Sequence, residues 1–219
     1  MFVALIQSVS FYLLVAADAA TDIAREDTAR LEACLEKVET SPADAYEDGL
    51  TWLSEGSRPE ARHCTALALL ALGHADEAAA RLEALANAPD AGGIEERAIY
   101  LSKAGNAWLL ARRPEAAKVT LTNALKLNPN DADLLMDRAR ANLLLGNWAA
   151  GETDLNAALG QYPSDVDALK LRAQARLNGG DRQGASDDVN LALGLAPDDL
   201  DLLVLRGEVR EAQRLAGER

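Results

Sequence analysis

Aromatic residues are scarce in this chain, which has three Trp, four Tyr and two Phe. So few rings exclude a stacking platform for single-stranded nucleic acid, and they argue against an aromatic-rich β-sandwich. Basic charge is short as well: 22 Lys and Arg stand against 35 Asp and Glu, a net of −13. That balance repels both a phosphate backbone and an anionic bilayer surface, so nucleic acid is not expected as a partner. Histidine occurs only as His63 and His74 and cysteine only as Cys34 and Cys64, and these four match no common zinc spacing. His63 and Cys64 are chain neighbours, which point apart on a helix and make no nucleophile–base pair. The chain has no G-x-S-x-G, phosphate-binding P-loop, G-x-G-x-x-G or H-E-x-x-H. No catalytic residue, metal ligand or cofactor is therefore assigned. What the chain has in quantity is Ala and Leu, within an apolar fraction of 49% that rules out a mainly disordered polymer. Both are strong helix formers.

Residues Phe2 to Ala17 carry no charge and are interrupted only by Gln7, Ser8 and Ser10. The run is short for a bilayer crossing, which takes about 20 residues, and long enough for a signal-peptide core. Small residues follow in Val15-Ala16-Ala17 and Ala17-Asp18-Ala19, where a signal peptidase reads them, so cleavage is expected after Ala17 or Ala19. The first basic residue is Arg25, so no Lys or Arg precedes the run. The alternatives are a retained membrane anchor or a buried first helix.

Cys34 and Cys64 lie 30 residues apart in helical segments separated by one further helix. In a reducing cytosol they would be two buried, inert thiols. In an oxidising compartment the even pair points to a disulfide, and a loop of this size would stabilise by about 3–4 kcal/mol. Export and a bond between Cys34 and Cys64 therefore support each other, and a periplasmic or cell-envelope location is expected, with the cytoplasm as the alternative.

Self-similarity governs the rest. Pro129, Pro163 and Pro197 recur every 34 residues. Leu101, Leu135, Leu169 and Leu203 keep that step, as do Ala124, Ala158 and Ala192 with Leu125, Leu159 and Leu193 after them. Leu121, Leu155 and Val189 share another register, and small residues recur at Gly105, Ala139, Ala173 and Gly207 and at Ala117, Gly151 and Ala185. Gly146-Asn147 and Gly180-Asp181 fall mid-unit, and Arg112-Arg113-Pro114 takes their place in the first unit. Apolar spacing makes each half-unit an amphipathic helix, and the mid-unit turn folds it back on its partner. One helix pair cannot bury its apolar face alone; stacked pairs bury a continuous core and curve into a superhelix with a concave side. Asp131, Asp165 and Asp199, with Asp133, Asp167 and Asp201, also repeat at 34 and are expected to cap helix starts and complement their dipoles.

Helix–turn–helix units of this length, with small, Ala and Pro positions in this order, resemble the tetratricopeptide repeat family, and the apolar N-terminus and cysteine pair suggest an exported bacterial member. The units are 98–131, 132–165 and 166–199, and 200–219 is a C-terminal capping helix. Residues 59–97 form a repeat-like pair with a longer loop at Asn87 to Gly93, 21–58 a degenerate N-terminal pair, and 1–20 the signal peptide or apolar segment. The resemblance implies an all-α solenoid whose first helices line the groove. On that basis the partner-binding candidates are Ser102, Asn106, Met136, Arg140, Lys170, Gln174 and Asn178, joined by Leu109 and Leu143. Members that clamp a chaperone's C-terminal carboxylate need a Lys one turn before the Asn; here that position is Ser102, so such binding is not expected. The implied function is a non-catalytic scaffold for a protein or peptide partner. The rivals are a membrane-anchored envelope assembly factor and a small enzyme with a helical-repeat body.

Overall fold

The computed structural model describes residues 25–217, so the expectations for residues 1–20 lie outside the described residues. Among the described residues there are eleven α-helices and no strand. The chain divides into two compact units, residues 1–77 and 78–219, and the division falls inside the 59–97 segment.

The first unit contains α1 (residues 25–40), α2 (Pro42–Glu55) and α3 (Pro59–Ala71). Pro at the first helical position starts both α2 and α3, where its missing N–H costs no intrahelical bond. Ser41 stands at the N-cap of α2, but its side chain makes no capping bond. The core is small: Cys34, Ala45, Trp52, Ala61, Cys64 and Ala68. Gly49 lets α2 and α3 close, since a Cβ there would lie 2.6 Å from Thr65 Cγ2 and 3.1 Å from Cys64 Sγ. Cys34 and Cys64 are joined as a disulfide, with Cα atoms 6.0 Å apart. A unit with so little core is the kind that a covalent staple stabilises most usefully. Arg30 lies 4.8 Å above the Trp52 ring and pairs with Glu55, Arg58 pairs with Asp27, and Lys37 with Asp48.

The second unit follows from within α4 (Ala75–Ala86) and holds α5 (Ile94–Leu110), α6 (Pro114–Leu127), α7 (Ala132–Leu144), α8 (Trp148–Gln161), α9 (Val166–Gly179), α10 (Arg182–Leu195) and α11 (Leu200–Gly217). Each of α6, α8 and α10 stops two residues before Pro129, Pro163 or Pro197. The next helix is then capped by an aspartate: Asp131, Asp165 and Asp199 accept the backbone N–H of Leu134, Ala168 and Leu202 at 3.0, 2.7 and 3.1 Å. Gly146 and Gly180 take the left-handed conformation at the mid-unit turn, with φ of 73° and 94°. Arg112, in the same register, does so at φ 57° without the freedom of glycine. The loop after α4 is tied down by Arg97, which donates to the carbonyls of Ala86 and Ala88 at 2.7 and 2.9 Å.

Leu121 and Leu155 are fully buried and Val189 nearly so, and Leu125 and Leu159 are buried beside them. The small residue at Gly105 is a steric need: a Cβ there would stand 2.5 Å from Leu121 Cγ. Leu203 departs from its register mates Leu101, Leu135 and Leu169, being only half-buried. Among the described residues α11 packs chiefly on α10 and α9, and Gly207 faces open space where Gly105 meets a leucine. The two helices within a unit are also joined by charge. Arg138 grips Asp154 through two bonds of 2.9 and 2.6 Å, and Arg172 grips Asp188 at 2.9 and 2.6 Å, 34 residues on.

Candidate partner-binding groove

Helices α5, α7, α9 and α11 form one layer in which each touches the next, whereas α6, α8 and α10 have no comparable contact among themselves. Closer spacing in the first layer makes it the inner side of the curve. The groove candidates all belong to this layer, although the structure places them unequally. Ser102 and Asn106 are half-buried on α5, and Arg140 on α7 and Lys170 and Gln174 on α9 likewise. Asn178 is exposed at the end of α9 and donates to the Gln174 carbonyl at 2.9 Å. Leu109 and Leu143 are half-buried. Met136 is buried at 9% exposure within the main core, so it packs the solenoid more than it faces a ligand.

Asn106 and Arg140 come together through a residue that the periodicity did not mark. Asp137 accepts from Asn106 Nδ2 at 2.7 Å and from Arg140 at 2.5 Å, bridging α5 and α7. Burial pushes its carboxyl above the usual aspartate range, against the pull of those two donors. The register positions before and after it are Lys103 and Leu171, so no repeat signal exists; the only trace is the Asp137–Arg140 spacing of three, which puts both on one helical face. Further along, Lys170 lies among carboxylates, 3.3 Å from Asp167, 3.8 Å from Asp201 and 3.9 Å from Asp199. Asp133, Asp167 and Asp201 thus do more than favour a helix start: they line the same layer. Among the described residues no three His, Cys, Asp or Glu side chains gather as a metal site, and no helix is long and apolar enough to cross a membrane.

Residues 107–176, from the end of α5 to α9, match the tetratricopeptide repeat family model. Those residues carry the tetratricopeptide repeat pattern. Solved structures of tetratricopeptide proteins share its fold. MamA from Desulfovibrio magneticus superposes with a TM-score of 0.67 at 16% identity, over 81% of this chain and 97% of that one. A thermophilic tetratricopeptide protein of Thermus thermophilus gives 0.56 at 25%, over 84% and 98%. The second tetratricopeptide domain of human RPAP3, solved with the HSP70 peptide SGPTIEEVD, gives 0.51 at 24%, over 54% and 98%. No curated protein matches the chain by sequence.

Proposed function

We propose that this protein is a non-catalytic scaffold that binds a protein or peptide partner along the inner face of α5, α7, α9 and α11, and that it works in the cell envelope. The observation that carries the binding reading is a curved inner layer lined with half-buried polar side chains, Ser102, Asn106, Lys170 and Gln174, on rigid helices. Such groups give directional hydrogen bonds to an extended chain at little ordering cost. The human RPAP3 domain, which has the same fold, holds a peptide, and that supports the reading. The envelope reading is supported by the Cys34–Cys64 bond, since disulfides persist in oxidising compartments, and by the uncharged run from Phe2 to Ala17.

Two experiments test these readings separately. Peptides selected from a random library on the full chain should lose at least fivefold in affinity on Lys170→Ala or Gln174→Ala. Val119→Ser, on the outer helix α6, should leave them unchanged; insensitivity to both groove changes overturns the binding reading. A non-reducing intact mass of protein from its native cell should lack the first 17 or 19 residues and show no free thiols. A full-length mass would instead favour a retained anchor.

A further inference from the structure

The α5–α7 end of the inner face carries exposed apolar side chains, as α11 does with Leu200 and Val204 at the other end of the layer. A groove of about 660 Å³ opens at the α5–α7 end, with Ile94, Ala98 and Ile99 of α5 on one side and Leu134 of α7 on the other. Ile94 is 64% and Ile99 50% exposed, so two branched apolar side chains of the groove stand in water. Ile99 occupies the register that Asp133, Asp167 and Asp201 hold on the following inner helices, so an apolar step begins a ladder of carboxylates.

Charge decides what fits. Glu95 and Asp133 stand on the rim of the groove, against the single ammonium of Lys103. The next cations along the inner face are already engaged: Arg140 by Asp137, and Lys170 by Asp167, Asp199 and Asp201. An incoming carboxylate would have to displace an aspartate to reach either. An incoming ammonium or guanidinium meets Glu95 and Asp133 directly, and the net charge of −13 draws it in from a distance.

We propose that this groove takes an extended cationic segment of a partner protein, seating a branched apolar side chain against Ile94 and Ile99 and setting flanking Lys or Arg residues on Glu95 and Asp133. The proposal rests on the inner face being the binding surface and names the chemistry of what it binds. A complementary segment gains from apolar contact at the centre and from charge at the rim, the usual division of labour in an interface.

The test uses the full chain and two dye-labelled, end-capped hexapeptides, one alternating as Lys-Ile-Lys-Lys-Ile-Lys and the other with every lysine replaced by glutamate. Fluorescence polarisation at low and at 150 mM salt should show the cationic peptide at least tenfold tighter, with the gap narrowing in salt. Ile99→Ser should weaken it about fivefold, and the Glu95→Lys/Asp133→Lys double variant should remove or reverse the preference, with circular dichroism confirming that both variants fold. Equal binding of the two peptides, preference for the acidic one, no binding of the cationic one, or indifference to these substitutions would overturn the proposal. The two readings fail separately. Library-selected peptides that respond to Lys170→Ala or Gln174→Ala but not to Ile99→Ser or the double variant would sink this inference and leave the inner-face reading standing.

Discussion

The fold contains its own control for the Arg138–Asp154 pair. Thirty-four residues earlier the same two positions are Ala104 and Thr120, in a unit that stacks the same way. The pair is therefore not required by the solenoid, yet breaking it from one side should be costly. The Asp154 side chain is 7% exposed, and without Arg138 its nearest donor is Asn142 Nδ2 at 3.4 Å. Arg138→Ala thus strands a buried carboxylate, for a loss of about 3 kcal/mol, at the low end for a broken buried pair because water reaches the arginine side. Asp154→Thr leaves a guanidinium whose side chain is already 25% exposed and can turn to solvent, so roughly 1–2 kcal/mol is expected. The double variant reproduces the Ala104–Thr120 arrangement and should cost about as much as the cheaper single change. The coupling is then about 3 kcal/mol, read from urea unfolding followed by far-UV circular dichroism across the four proteins. Additivity within about half a kcal/mol would refute the argument, because it would mean that neither group is buried enough to miss the other.

Reduction of Cys34–Cys64 should act on the first unit: the chain-entropy treatment of a loop this long gives about 3.7 kcal/mol. Trp52, at 2% exposure beside the bond, reports it once Trp108 and Trp148 are changed to Phe; a loss below about 1 kcal/mol on adding reductant would contradict the staple role. Arg112→Gly should stabilise by up to about 1 kcal/mol, since relief of the left-handed strain slightly exceeds the added chain entropy of glycine, and a lowered unfolding midpoint would show the turn unstrained. The raised Asp137 carboxyl binds more proton in the folded than in the unfolded state, so its favourable contribution is complete in acid and is lost as pH rises through the folded value. Asp137→Asn should therefore gain on the parent protein between pH 3 and pH 7 in urea midpoints, and a flat difference would show that burial does not govern that group.

Most of the helix order was legible because the signals are local and repeated. Pro129, Pro163 and Pro197 end helices through a missing donor and a fixed φ, Asp131, Asp165 and Asp199 begin the next, and Gly146 and Gly180 turn the chain between partners. Each effect acts within a few residues, so it shows in the string. The inner-face candidates were legible only as positions. Their phase placed Asn106, Arg140, Lys170 and Gln174 on the first helix of each pair, but it said nothing of which were already occupied.

The amino-acid sequence by itself determined the period of 34, the alternation of first and second helices and the small residues that let them close, because all are written in nearest-neighbour chemistry. Tertiary structure alone decided that Cys34 and Cys64 meet, that Asp137 is drawn under Arg140 and Asn106, and that Met136 turns to the core. It also paired Arg138 with Asp154 and Arg172 with Asp188, 16 residues apart across a turn. Those outcomes depend on distances between helices and on the water excluded from between them. Both arise only when the pairs stack, and the chain's local pattern carries no record of either.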